Sequence, residues 1–205
     1  MPFEVGIKHI LLESFIPERL RNCIDNLHID DWHEMIEFWQ DCRGDGVEPD
    51  VIIKMADIVF LIEVKLYSYL STDDEYDESS RIDKEYMLSE NQLSRESRLL
   101  NSKYGNYKNK VLLLLAPESS ALKINNDIKK REQNGDIIIA TGVDFGYITW
   151  QKALSALQKI VVTNVFQQVI IQDLINLLIK KGFTQFDGFN WEIPDINPEY
   201  YWLFQ

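Results

Sequence analysis

Residues 48 to 65 read EPDVIIKMADIVFLIEVK, and this stretch decides the fold. Two runs rich in β-branched residues lie on either side of Ala56 and Asp57, which is typical of two largely buried strands joined by a turn. A two-residue turn pairs Met55 with Ile58 and so fixes the pairing of every residue further along both strands. The stretch therefore predicts a β-hairpin with a defined register.

The predicted hairpin brings three charged side chains to one patch. Its register places Asp50 directly opposite Glu63, and the two-residue period of a strand puts Lys65 on the same face as Glu63. Two carboxylates about 5 Å apart repel each other, and burying them is costly unless a cation or a proton intervenes. Mg²⁺, or alternatively Mn²⁺, would resolve the repulsion by binding oxygen atoms of Asp50 and Glu63 and the backbone carbonyl of Val64.

Such a patch is suited to phosphodiester hydrolysis. A bound divalent ion leaves positions for water and a phosphate oxygen, and it lowers the pKa of that water. Lys65 would orient or deprotonate the water, or neutralise the developing negative charge. The competing interpretation is that Glu63 and Lys65 are solvated charges on an edge strand. The apolar run VFLI at residues 59 to 62, directly before Glu63, favours a buried strand instead.

The composition restricts the class of protein. The 205 residues are 45% hydrophobic and include 33 acidic and 21 basic side chains, for a net charge of −12. This composition excludes disorder for most of the chain, and the charge argues against a protein that coats nucleic acid. Two cysteines are too few for a disulfide framework or a Cys-based zinc site. No basic leader precedes the first apolar stretch, and no apolar run approaches the roughly 20 residues that cross a bilayer. We therefore expect a cytoplasmic protein without a membrane partner.

The rest of the chain predicts an α/β fold. Apolar residues recur with helical spacing before and after the hairpin, and two further apolar runs indicate strands. We expect a mixed sheet of four to five strands flanked by helices. The predicted helices cover residues 3–16, 17–27, 30–41, 82–101, 150–160 and 164–181, a helix or loop covers 118–134, an exposed acidic loop covers 68–80, and the predicted strands beyond the hairpin cover 110–117 and 136–143.

The chain is expected to divide into a core and an extension. Residues 1–149 would form the α/β domain, and residues 150–205 a helical extension that packs on the same domain or on a partner. The second helix of this extension is predicted to end at Gly182, because glycine is the usual residue just beyond a helix C-terminus.

Positive charge is concentrated in the middle of the chain. Residues 81–131 hold 11 basic and 6 acidic side chains, a net of +5, whereas residues 1–80 have a net of −13 and residues 132–205 a net of −4. This segment predicts local contacts with phosphates, and a solvated basic face is the alternative. The candidate nucleic-acid-binding residues are Arg95, Arg98, Lys103 and Lys108.

The hairpin motif resembles that of a known family. Pro49 and Asp50, followed after twelve residues by Glu63, Val64 and Lys65, are similar to the signature of the PD-(D/E)xK nuclease superfamily. The resemblance covers about residues 4 to 145. It implies a restriction endonuclease-like core with a C-terminal helical extension, and a Mg²⁺-dependent active site built from these residues.

The resemblance also implies two auxiliary residues. In that superfamily a helix before the hairpin supplies a glutamate, and a helix after it often carries a glutamine in a motif similar to QLSRE, which begins here at Gln92. Glu4 and Glu13 compete for the first role, and nine residues of separation put them on opposite sides of a helix. Glu4 borders the apolar face, so it is the preferred candidate, and Glu13 remains open.

The resemblance implies an activity and a setting. We expect a metal-dependent endonuclease that acts on DNA, works as a homo-oligomer or with a partner protein, and serves as an effector in bacterial anti-phage defence. The C-terminal helices also resemble those of superfamily members from bacterial genome-defence systems. The alternative is a non-catalytic module that keeps the nuclease fold and acts as a binding or assembly subunit.

Overall fold

The computed structural model describes residues 3–4, 6–29, 35–38, 47–66 and 91–184. These residues form six helices and five strands. In chain order the elements are α1 (Ile7–Leu12), α2 (Glu18–Asp25), β1 (Ile36–Phe38), β2 (Val51–Met55), β3 (Ile58–Val64), α3 (Gln92–Lys103), β4 (Asn109–Ala116), α4 (Glu118–Gln133), β5 (Asp144–Thr149), α5 (Trp150–Lys159) and α6 (Val165–Lys180).

The strands form one mixed sheet in the order β1-β2-β3-β4-β5. β1 and β3 each pair with β2 in antiparallel fashion, whereas β4 runs parallel to β3 and β5 runs parallel to β4. The predicted mixed α/β sheet flanked by helices is therefore confirmed. The predicted hairpin is also confirmed: Met55 pairs with Ile58 and Val51 with Ile62, and Ala56 adopts a positive φ of 41° in the turn.

The central strand β3 separates two layers of core because its side chains alternate between the faces of the sheet. Ile58, Phe60 and Ile62 pack on the side of α1 and α2, whose buried residues include Leu11, Leu20 and Ile24. Val59 and Leu61 pack on the opposite side, with Leu93, Leu99 and Leu100 of α3 and Ile128 of α4. Since both faces are covered, β3 is apolar along its whole length up to Glu63.

Two predicted elements are wrong. The predicted helix 30–41 contains strand β1, where Ile36 pairs with Ile53; pairing the open edge of β2 outweighs the helical spacing of the apolar residues. The predicted strand 136–143 is irregular, and the following residues form β5 instead. Ile138 in that segment is 2% exposed and packs in the core, whereas Ile137 is 51% exposed, so the β-branched run contains one core residue and is not a strand.

A close approach of two segments explains why β5 was missed. A Cβ at Gly146 would lie 2.4 Å from Ile16 Cγ2 and 2.9 Å from the Phe15 carbonyl oxygen, so the strand carries a glycine where the α1–α2 connection crosses it. Phe15 and Tyr147 exchange backbone hydrogen bonds at this crossing. Glycine is disfavoured in strands, so the local sequence did not indicate one.

The C-terminal helices pack on the α/β core. Leu154 and Leu157 of α5 form a cluster with residues of α6, and Ile10 of α1 and Leu66 lie against it. Gly182 has a φ of +81° just beyond α6, which confirms its predicted position. The division of the chain at residue 149 stays a prediction. Among the described residues, no helix has the length and apolarity needed to cross a membrane.

Three predictions lie outside the described residues. They concern the acidic loop at 68–80, the first part of the helix predicted for 82–101, and the end of the C-terminal extension from residue 185 onward.

Candidate active site

Glu63 and Lys65 form a buried ion pair at the end of β3. Lys65 Nζ lies 2.6 Å from Glu63 Oε1, and Glu63 is 2% exposed. The backbone of Lys65 is held on both sides: its N–H donates to the Leu115 carbonyl of β4 at 2.7 Å, and its carbonyl accepts from Trp150 Nε1 of α5 at 2.8 Å. These contacts fix the backbone at the strand end, from which the Lys65 side chain reaches the glutamate.

Asp50 lies at the same end of the hairpin. Its carboxylate oxygen Oδ2 accepts a hydrogen bond from the Val64 N–H at 2.8 Å, in keeping with the predicted register. Burial raises the pKa of Glu63, and the negative charge of Asp50 raises it further, although the hydrogen bond from Lys65 lowers it. The structure thus brings together Asp50, Glu63 and Lys65, as the sequence predicted.

A third carboxyl group joins the patch from helix α3. Glu96 is 0% exposed, its side chain is in hydrogen-bonding contact with Glu63, and its Oε1 accepts from Gln92 Nε2 at 2.9 Å. Burial, followed by the charge of Glu63, raises the pKa of Glu96 well above its usual value. One ammonium beside two buried carboxyl groups favours the protonated form of Glu96, which can donate to the Glu63 carboxylate, because a second unpaired negative charge would be costly to bury.

Two oxygen atoms of this pair have no other partner. Among the described residues, no donor group reaches Glu63 Oε2 or Glu96 Oε2, although both are buried. A bound cation would give the Glu63 oxygen a partner. A buried carboxylate oxygen of this kind is suited to a hard divalent ion.

The residues fit a Mg²⁺ site in which the protein supplies only a few of the ligands. In the part of the chain that the structure describes, no group of three or more Asp, Glu, His or Cys side chains is placed to hold an ion. Mg²⁺ commonly takes only one or two carboxylates from the protein and fills its other positions with water and phosphate oxygens. Asp50 and Glu63 supply that number, and the ligand role of the Val64 carbonyl stays a prediction.

Gln92 lies beside the third carboxyl group of the patch, and its catalytic role stays a prediction. It is the first residue of α3, and its amide binds Glu96, which in turn contacts Glu63. Gln92 therefore reaches the carboxylates of the patch through Glu96.

The contacts of the two first-helix candidates lie elsewhere. Glu4 precedes α1, and its carboxylate accepts from the Ile29 N–H at 3.0 Å, which lowers its pKa. Glu13 follows α1 and forms ion pairs with Lys152 and Lys159 of α5. A site role for either glutamate stays a prediction.

The predicted nucleic-acid-binding residues lie along α3 and just after it. Arg95 and Arg98 are half-buried on the helix, and Arg98 Nη1 donates to Ser94 Oγ at 2.8 Å. Lys103 is the last residue of α3, and Lys108 lies shortly before β4; both are exposed. Arg95 directly precedes Glu96 on α3. Their contact with nucleic acid stays a prediction.

Glu96 is the site residue that sequence reasoning missed, and a signal for it was present. Leu93, Glu96 and Leu100 recur at spacings of three and four, so the glutamate occupies the middle of the apolar face of α3. A charged residue at such a position needs a partner inside the protein.

Comparisons with known proteins give no further guidance. No protein-family model, no curated protein and no solved structure matches the chain.

Proposed function

We propose that this protein is a Mg²⁺-dependent nuclease that hydrolyses phosphodiester bonds in DNA. The observation that carries the proposal is the buried patch at the end of the hairpin, where Lys65 Nζ lies 2.6 Å from Glu63 and the Asp50 carboxylate binds the adjacent Val64 N–H. Buried titratable groups with raised pKa values at the end of a strand are typical of functional sites.

Three residues of the patch, Asp50, Glu63 and Lys65, have a role in this proposal. Asp50 and Glu63 would hold the divalent ion. When bound, the ion would lower the pKa of a coordinated water and stabilise negative charge on the phosphate. Lys65 would keep its ammonium beside the attacking water and the reacting phosphate, to orient the water and stabilise negative charge. The rigid backbone of Lys65 supports this role, since both its N–H and its carbonyl are hydrogen-bonded.

A nucleic-acid substrate is supported by charge, and the choice of DNA over RNA rests on the sequence resemblance alone. Arg95 is next to Glu96 in the sequence, and the basic segment that contains it is the one part of the chain with a net positive charge. Salt screens the attraction between basic side chains and phosphates. The affinity for DNA would therefore be modest and strongly salt-dependent. A partner protein or a second copy of the chain would help to deliver the substrate. The proposed role in anti-phage defence rests on the sequence resemblance alone.

A non-catalytic module is the second candidate function. It is favoured by the ion pair between Lys65 and Glu63, which already gives the buried Glu63 carboxylate a cationic partner. A protein of this kind would keep the nuclease fold and bind a partner or nucleic acid without cleaving it.

Cleavage assays distinguish the two functions. The full chain is incubated with plasmid DNA, linear DNA and RNA in Mg²⁺ and in Mn²⁺, beside the variants Asp50→Asn and Asp57→Asn. Asp50→Asn keeps an oxygen that can accept from the Val64 N–H but loses the charge that binds metal, so we expect cleavage to fall by a factor of roughly 10³ or more. Asp57 is exposed in the turn at the other end of the hairpin, so Asp57→Asn should cleave as the parent protein does. Equal cleavage by both variants would contradict the nuclease assignment, and DNA binding without cleavage in either metal would favour the module.

A further inference from the structure

A row of polar contacts connects helix α3 to the end of β3. Gln92 Nε2 donates to Glu96 Oε1 at 2.9 Å, the Glu96 carboxyl contacts Glu63, and Glu63 Oε1 lies 2.6 Å from Lys65 Nζ. The row is buried at its centre, since Glu96 and Glu63 are 0% and 2% exposed. Solvent therefore cannot replace these contacts.

The helix holds Glu96 firmly in this row. Leu93, Leu99 and Leu100 of α3 are buried against Val59 and Leu61 of the hairpin, so the helix is anchored on both sides of the glutamate. The Glu63 carboxylate is paired with Lys65 through Oε1, and its Oε2 has no hydrogen-bond donor among the described residues. The Glu96 carboxyl is the second anchor, and it restricts rotation of the Glu63 carboxylate.

We propose that Glu96 is a positioning residue that orients the Glu63 carboxylate for cation binding, and that Gln92 acts on the site through Glu96. This inference rests on the proposed function. Carboxylates that bind metal are themselves held by hydrogen bonds, and loss of such a second contact typically weakens metal binding. Direct ligation by Glu96 is not part of the proposal, because the described carboxylates do not form a group of three that could hold one ion.

Binding of Mn²⁺ alone tests the proposal without any cleavage assay. Mn²⁺ is titrated into the full chain, and the bound ion is followed by calorimetry and by electron paramagnetic resonance. Glu96→Leu removes the anchor, so we expect Mn²⁺ affinity to fall roughly 10- to 100-fold. Glu96→Gln keeps both a donor for Glu63 and an acceptor for Gln92, so it should bind Mn²⁺ about as tightly as the parent protein.

A control on the same helix separates positioning from general stability. The buried Ser97 hydroxyl accepts from the Ala140 N–H at 2.9 Å and donates to the Ser94 carbonyl, away from the carboxylates. Ser97→Ala should lower the melting temperature and leave Mn²⁺ affinity unchanged. A merely structural role for Glu96 would give Glu96→Leu this same behaviour.

The place of Gln92 in the row is tested by a double-mutant cycle. Gln92→Leu should weaken Mn²⁺ binding, and adding it to Glu96→Leu should cause no further loss, because both substitutions break the same path. Additive losses would show that Gln92 acts independently. If Glu96→Leu fails to fold, the Mn²⁺ affinity of Gln92→Leu tests the proposal instead. Weaker Mn²⁺ binding by this variant supports the proposal, and unchanged binding overturns it.

Failure of the inference can be told from failure of the proposed function. Parent-like Mn²⁺ affinity in folded Glu96→Leu overturns the positioning role and leaves the metal site standing. A loss in Glu96→Gln as large as that in Glu96→Leu also overturns it, since the charge of Glu96 would then be what binds the ion. A parent protein that binds no Mn²⁺ overturns both proposals.

Discussion

Two glutamate clusters in this molecule are built from the same residue types and have opposite properties. At the end of β3, two carboxyl groups, Glu63 and Glu96, share one ammonium, Lys65, and both are buried. Beside α1, one carboxylate, Glu13, has two ammonium groups on α5, at 3.0 and 3.6 Å, and one of these lysine side chains is 65% exposed. The first cluster has more carboxyl groups than ammonium groups and is buried. The second has more ammonium groups than carboxyl groups and lies near solvent.

The pKa values differ in direction for this reason. Burial raises the pKa of Glu63 and Glu96, whereas the hydrogen bond from Lys159 lowers that of Glu13. The buried cluster lowers the free energy of unfolding at neutral pH, and the surface cluster raises it slightly. Such an unfavourable cluster of buried titratable groups is expected at a ligand-binding site.

The largest effect is expected on removal of the ammonium from the buried cluster. Lys65→Met leaves Glu63 buried without a cation, so we expect a loss of about 3 kcal/mol in the free energy of unfolding, together with loss of cleavage. Lys159→Met in the surface cluster should cost no more than about 0.5 kcal/mol. Urea denaturation at neutral pH measures both, and similar losses would show that the two clusters do not differ in kind.

The pH dependence of Glu96→Gln should give the next largest effect. The raised pKa means that the neutral Glu96 carboxyl stabilises the fold below its ordinary pKa of about 4.3, and that this contribution is lost as the pH rises through the raised value. Glu96→Gln does not ionise, so at pH 8 it should be more stable than the parent protein, in which ionisation of the buried Glu96 carboxyl is unfavourable. Urea denaturation from pH 4 to pH 8 should show the advantage growing with pH, and a constant difference would contradict a buried acid at this position.

The smallest effect is expected for Glu13→Gln in the surface cluster. Its lowered pKa means that the ionised form stabilises the fold above the ordinary carboxyl pKa, and that this contribution is lost as the pH falls through the lowered value. We expect Glu13→Gln to lose about 0.5 kcal/mol at neutral pH and low salt, and nothing at high salt. The loss should shrink toward acid pH, opposite in sign to the trend of Glu96→Gln. If the stability differences of both variants from the parent protein changed with pH in the same direction, the contrast between the two clusters would be contradicted.

Much of the hairpin and its patch could be predicted from the sequence. The turn at Ala56 fixes the pairing of β2 with β3, and a strand alternates its faces, so the meeting of Asp50 with the Glu63–Lys65 end followed from counting residues. Strand β4 and helices α5 and α6 were likewise identified by their apolar patterns.

Strands β1 and β5 were missed because their assignment depends on distant partners. Ile36 lies in a strand because β2 has an open edge beside it, and Gly146 lies in a strand because the chain near Ile16 crosses it closely. Local patterns register burial and periodicity, but they do not register which segment will pair with a neighbour far away in the chain.

The sequence by itself determined the hairpin, its register and the convergence of Asp50, Glu63 and Lys65, because these depend on residues close together in the chain. Only the tertiary structure decided that Glu96 meets Glu63 and that Gln92 reaches the patch through it. The apolar face of α3 predicts that the helix is buried somewhere, but its docking on the hairpin sets where the glutamate arrives. That docking is a long-range packing outcome, and it adds a second buried carboxyl group to the ion pair of Glu63 and Lys65.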